Sequence, residues 1–184
     1  MTLTRQMPVH DIPVPRLETE RLVLRAPEGR DFDAIVAFQM DAERTKYIGG
    51  PAQSEFDVWG GFCRAIGHWM WHGYGFWTLE EKASGDAVGR IGFLNHVGWP
   101  EPELGWHMFA HGEGRGLAHE AAVTIRAYGA NTLGLDGVIS QIHPENKRSR
   151  ALAERLGAVI ERETELLGDP CLIYRHPVVQ EVAA

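Results

Sequence analysis

The stretch FAHGEGRGLAHEAA, beginning at Phe109, constrains this chain more than any other. Glycines at 112, 114 and 116 run straight into a segment where Leu117, Ala118, Ala121, Ala122, Ile125 and Tyr128 recur at helical spacing. ELGWHMFA reads as a strand before the turn, and GVISQIH as a short apolar strand after the helix. Strand, turn, helix, strand is the order of a parallel pair with a right-handed crossover, so the chain reads as α/β. The amides of Gly114, Arg115, Gly116 and Leu117 have few side chains around them. First-turn N–H groups lack intrahelical partners and sit at the positive end of the helix dipole, so a diphosphate fits across the amides of Gly114 to Ala118, with Arg115 adding a charge. The same glycines also fit a tight connection that uses only their backbone freedom. A P-loop is excluded, because no Lys-Ser or Lys-Thr follows, and the glycines do not fall at G-x-G-x-x-G.

At 184 residues, with 44% hydrophobic content, the chain suits one compact domain with a full core. Residues 1–16 are proline-rich and aperiodic and read as an extended arm, 17–177 as the domain and 178–184 as a tail. RLVLRA alternates Leu22, Leu24 and Ala26 against Arg21, Val23 and Arg25, as a half-buried strand does. Asp31 is placed to cap a helix whose apolar face is Phe32, Ile35, Val36 and Met40. Ser54 and Asp57 have capping-box spacing before a second helix, with Phe56, Trp59, Phe62, Cys63, Ile66 and Met70 on its apolar face. FWTLEE and DAVGRIGFLN form a hairpin about Ala83-Ser84-Gly85. Residues 149–156 supply a short helix ending at Gly157, and AVIERETELL and CLIYRH a closing hairpin.

Several functions are set aside on composition and spacing. A formal net charge of −7 argues against generic nucleic-acid binding. MTLTRQMPVHDIPVPRLE lacks the apolar segment of a secretory signal, and no run of about 18 apolar residues marks a membrane span, so a cytoplasmic protein is expected. Cys63 and Cys171 read as small buried apolar groups without a disulfide. His68 and His72 stand at i, i+4, but no Glu follows His68 and no third ligand is evident, so no metal is expected. Trp59, Trp69, Trp71, Tyr74 and Trp77 read chiefly as core, with some bordering a pocket.

LETERLVLR, GYGFWTL, GRIGFLN, ELGWHMF, EGRGLAHEAA and IHPENKRSRALAERLGA occur in this order between residues 17 and 175. Each is weak alone; collinear, they resemble the Gcn5-related N-acetyltransferases, most closely the branch that acetylates ribosomal-protein amino termini. The resemblance implies a single-domain α/β (α+β) fold: a mixed central sheet of about six to seven strands flanked by helices, with a splayed strand pair holding acetyl-coenzyme A. The family's diphosphate signature falls on Glu113, Gly114, Arg115, Gly116, Leu117 and Ala118, where Glu113 puts a carboxylate in place of Gln or Arg. Met108, Phe109 and Ala110, at the end of the splayed strand, complete the implied coenzyme set. Asn146 matches the asparagine beside the pantetheine arm and Ser149 the small residue three positions on; Asn146 also reads as a plain helix N-cap.

Amide formation needs a neutral amine, a stabilised oxyanion and a proton for the departing thiolate. A backbone N–H near Met108 suits the oxyanion. Glu103 is the first candidate base, where the family often places one, and His107, two pleats along the same face, the second, either acting directly or through water. Ala153 stands where many relatives carry an acidic tyrosine, so Ser149 or solvent protonates the thiolate. The expected reaction is acetyl transfer from acetyl-coenzyme A to a primary amine, of a protein N-terminus or a small molecule, by direct attack on the thioester. The alternative is a non-catalytic acyl-coenzyme-A-binding module, which Glu113 and Ala153 motivate. Exposed strands near the closing hairpin leave a homodimer open.

Overall fold

In a computed structural model that describes residues 14–179, strands β1 (Leu17–Glu18), β2 (Leu22–Arg25), β3 (Phe76–Glu81), β4 (Ala87–Leu94), β5 (Glu103–Met108), β6 (Ile139–Ile142), β7 (Val159–Leu166) and β8 (Asp169–Arg175) form one sheet. Its order is β1-β2-β3-β4-β5-β6-β8-β7. Most of the expected arm, 1–13, and of the expected tail, 180–184, lies outside the described residues. The eight strands slightly exceed the expected number; β1, only two residues long, is too short to show a period. Every pairing is antiparallel except β5 with β6, which is parallel and shares one register pair, Glu103 with Ile139. Past that pair the two strands part, and the sheet is splayed where the sequence placed its crossover.

Helices α1 (Phe32–Gln39), α2 (Ala42–Thr45), α3 (Glu55–His72), α4 (Leu117–Tyr128) and α5 (Lys147–Arg155) cover the sheet. Leu117, Ala121, Ala122 and Ile125 of α4 are wholly buried against Trp77, Ile91, Phe93 and Leu104. On the opposite face α1 and the first half of α3 pack through Phe32, Ile35, Phe38, Val58 and Phe62. The far end of α3 sets Trp69 edge-on to Trp77, with ring centroids 4.6 Å apart. Among the described residues no helix is long and apolar enough to cross a membrane.

Three local expectations are corrected. β2 is buried on both faces, because Arg25 donates to both Asp31 oxygens at 2.8 Å and to Glu80 at 2.6 Å instead of reaching solvent. Asp31 does stand at the N-cap of α1, but its side chain makes no cap bond to that helix; it holds Arg25 and accepts from Thr78 and, as half of a capping box on the preceding 3-10 turn, from the Glu28 N–H. Along α3 the buried residues are Val58, Phe62, His68 and Trp69, whereas Phe56, Cys63 and Met70 are exposed, as is Met40 after α1. Apolar side chains cover most of the circumference of α3, leaving the narrow side of Asp57, Arg64, His68 and His72, so its period does not fix which part of the wide apolar arc is buried. Ser54 does cap α3, accepting from the Asp57 N–H at 3.2 Å, and Gly73, in the left-handed region at φ 73°, ends it.

Candidate active site

The splay opens onto a cleft of about 790 Å³ lined from both faces of β5. Strand alternation points Glu103, Gly105 and His107 one way, and Arg90 of β4, paired with His107, joins them; Asn146 and Ser149 line the far wall. Glu103 sits at the last shared pair of β5 and β6, is almost fully buried, and accepts from the Gln141 N–H at 3.2 Å. Burial pushes its carboxyl up to about 7, against the pull of Gln141. That is where a general base serves best near neutral pH.

His107 stands differently. Its Nδ1 accepts from Arg90 Nε at 3.0 Å, which puts the imidazole proton on Nε2, and Phe38 stacks on the ring at 5.0 Å. Burial, reinforced by the Arg90 charge, holds its pKa well below the usual value. It therefore offers the cleft a donor, not a lone pair. His68, the other histidine with a functional reading, has Nδ1 bonded to the Tyr74 carbonyl and Nε2 to the Asn95 N–H, which leaves neither nitrogen for a metal. Of the aromatic group, Trp69 and Trp77 are core and Trp71 is exposed, and none of its five members lines the cleft, which Tyr47, Phe76 and Trp99 border instead.

At the mouth of the splay the glycine turn leads into α4. Gly114 and Gly116 have φ of 71° and 78°, a region that favours glycine, and Gly116 is the α4 N-cap. No side chain caps α4, whereas Asp41, Ser54 and Asn146 cap α2, α3 and α5. The first amides of α4 are thus left for an external acceptor. Gly112 differs: a Cβ there would run into the Val88 carbonyl oxygen, so its smallness lets the turn pack on β4. The Phe109 N–H is bonded to the Val88 carbonyl at 3.0 Å, so by antiparallel alternation the Met108 N–H points away from β4, to the open side of β5. Phe109 itself turns into the α1 core, and Ala110 begins a tight turn.

The turn's charges are arranged in a way the sequence did not disclose. Glu113 pairs with Arg44 and with Arg148, the latter at 2.8 Å, so its carboxylate gathers two guanidiniums beside the turn. Arg115, expected to face the ligand, is instead engaged by Glu81 and the His111 carbonyl. Arg21 holds Glu120 and the Arg115 carbonyl. On the far wall Asn146 accepts from the Ser149 N–H at 3.2 Å and so caps α5, while Trp106 Nε1 donates to Ser149 Oγ at 3.1 Å across the splay. That bond leaves the Ser149 hydroxyl hydrogen free to be given elsewhere. Ala153 is fully buried beneath it, against Ile142 and Tyr174.

A mixed sheet that parts between two parallel strands, with an uncapped helix at the opening and a near-neutral carboxyl inside, defines an acyltransferase of the N-acetyltransferase fold. The sequence model of the acetyltransferase (GNAT) domain matches residues 21–159, and the chain belongs to this family. It is accordingly an acyltransferase whose co-substrate is acetyl-coenzyme A. An acetyltransferase structure from Agrobacterium tumefaciens str. C58 is 36% identical, with a TM-score of 0.81 over 89% of this chain and 94% of that one. YnaD of Bacillus subtilis (strain 168), an uncharacterized N-acetyltransferase, is 26% identical over 141 residues, 77% of this chain and 81% of its own. RimL, a ribosomal L7/L12 α-N-protein acetyltransferase solved with coenzyme A, shares the fold at 15% identity, with a TM-score of 0.74 over 89% of this chain and 98% of that one.

Proposed function

We propose that this protein transfers the acetyl group of acetyl-coenzyme A to a primary amine by direct attack on the thioester, with Glu103 as general base. The observation that carries the reading is Glu103 itself: a buried carboxyl at the base of the splay, facing the cleft, with its pKa raised to about 7. The diphosphate lies on the amides of Gly114 to Ala118, flanked by Arg44 and Arg148, and the pantetheine arm enters between β5 and β6 beside Asn146. The neutral amine attacks the thioester carbon and its proton passes to Glu103, directly or through a water. The Met108 N–H meets the oxyanion as it develops. The C–S bond then breaks, and the thiolate takes a proton from Ser149 Oγ, which solvent restores. His107 acts as a donor to the acceptor substrate, in keeping with its Nε2 proton.

The alternative of a binding module without catalysis rested on Glu113 and Ala153. Pairing of Glu113 with two arginines removes its repulsion of a diphosphate, and Ser149 supplies the hydroxyl that position 153 lacks. Calorimetry with coenzyme A and thiol release from acetyl-coenzyme A across a panel of amines test the choice. Transfer requires both binding and release; binding with no release from any amine leaves only the module.

A further inference from the structure

Arg90 occupies the cleft floor with a charge that no carboxylate of the described residues meets. Its Nε donates to His107 Nδ1 at 3.0 Å, and its guanidinium lies over the Phe76 ring, 5.2 Å from the centroid. Its two terminal nitrogens have no hydrogen-bond partner among the described residues, and the residue lines the cleft. Other sheltered arginines here are satisfied: Asp31 and Glu80 meet Arg25, and the Leu156 and Pro177 carbonyls meet Arg126. Leaving a cation partly desolvated and unpaired is costly unless a ligand completes it. The neighbouring His107 offers a second donor, Nε2–H, and the Phe38 and Phe76 rings keep the spot apolar.

The position of this donor pair relative to Glu103 limits the ligand. Arg90 stands opposite His107 but leans over Phe76, which shares a row across the sheet with Gly92 and Gly105. That row is two residues, about 7 Å, from Glu103 along β5. The Phe76 ring edge covers Gly105, where a Cβ would meet it at 3.4 Å, so the ring that carries the guanidinium reaches the row next to Glu103. An acceptor whose nitrogen meets Glu103 thus brings a group only a few bonds away to Arg90.

We propose that the amine acceptor carries a carboxylate a few bonds from its nitrogen, received by Arg90 with His107 as second donor. This rests on the acetyl-transfer reading above and narrows it. A polyamine or aminoglycoside would set a further cation against Arg90 and is disfavoured. The carboxylate belongs either to a free amino acid or to an acidic side chain next to a peptide amino terminus.

Steady-state thiol release by the full chain separates these. The panel is the common amino acids, their carboxamides, short peptide amides beginning with Asp, Glu or Ala, and spermidine. A carboxylate-bearing acceptor is expected to exceed its neutral amide at least about tenfold in kcat/KM, the worth of one charge-assisted bond. Preference among free amino acids assigns the small-molecule source, and preference confined to the acidic peptides assigns the peptide source. Arg90→Gln should collapse the ratio toward one, chiefly through KM, with coenzyme A affinity unchanged by calorimetry; Arg90→Lys should restore part of it. A wild-type ratio near one, a preference for spermidine, or a ratio unmoved by Arg90→Gln overturns the proposal while transfer itself stands. Coenzyme binding without release from any amine overturns both. If Arg90→Gln fails to fold, the wild-type ratios decide alone.

Discussion

Glu103 shows how one side chain ties stability to chemistry. Its folded pKa of about 7 exceeds the usual 4.5, so the folded protein holds this proton more tightly than the unfolded chain. Stability therefore falls as pH rises through the window from about 4.5 to 7, and the whole cost, on the order of 3 kcal/mol, stands above it. Glu103→Gln keeps the shape and an acceptor for the Gln141 N–H but removes the charge. The variant should melt at a higher temperature than the wild type at pH 8, with the gap closing toward pH 4.5. Its turnover should drop about a hundredfold or more, with loss of the acidic limb centred near pH 7 that the carboxylate imposes. Thermal melts and thiol-release rates over pH 4.5–9 check both. A variant no more stable at pH 8 would show the carboxylate to be solvated, and a retained limb would assign it to the amine.

At the scale of elements, the glycine turn tests whether backbone shape or backbone access matters more. Gly116 and Gly134 both have positive φ, 78° and 68°, and a Cβ would meet nothing closer than Arg21 Nη2 at 3.7 Å at the first and nothing within 4 Å at the second. Alanine at either costs about 1–2 kcal/mol of left-handed strain, a melting temperature lower by about 2–8 °C. Only at Gly116 does the new methyl stand among the amides of α4. Gly116→Ala should weaken coenzyme A about tenfold by calorimetry, and Gly134→Ala less than about twofold. Equal losses would mean that the turn contributes only its shape. The α4 core face, Leu117, Ala121, Ala122 and Ile125, was legible in the sequence because a polar side opposes it. So was the β3–β4 hairpin, whose alternation is broken at Gly85. The phase of α3 was not, since Phe56, Trp71 and Met70 are apolar yet face outward. Glu113 looked repulsive toward an anion because its partners, Arg44 and Arg148, lie 69 and 35 residues away. Arg90, set in a strand among glycines, carries no local sign that its charge turns inward. The insertion of β8 between β6 and β7 is likewise a long-range fact that no local pattern holds.

Taken whole, the molecule is two sheet segments, β1–β5 and β6–β8, hinged at a single backbone pair and crossed by side chains. Ser140 of β6 donates to the Leu104 carbonyl of β5 at 2.6 Å and lies 2.9 Å from His176 Nε2, all three buried. Burial pushes His176 down to about 4, helped by Arg126 and Arg175, so near neutral pH it is uncharged and gives its Nε2 proton to Ser140. Arg175 adds a second tie, to Glu101 at 2.6 and 2.8 Å, and Trp106 a third, to Ser149. Ser140→Ala would strand the Leu104 carbonyl and the His176 N–H together, at about 2–3 kcal/mol. For a chain of this length that lowers the melting temperature by about 4–12 °C. In the proposed binding mode coenzyme A lies in the splay and touches both segments, so its binding energy adds to the folded state alone. At a hundredfold excess over the Kd measured for the variant, the coenzyme contributes about 2.7 kcal/mol. Ser140→Ala with coenzyme A should therefore melt near the temperature of the wild type without it, by calorimetric melting of both proteins. A variant that melts with the wild type would show that the Ser140 bonds do not hold the segments together, and that the backbone pair and the Arg175 and Trp106 ties carry the hinge.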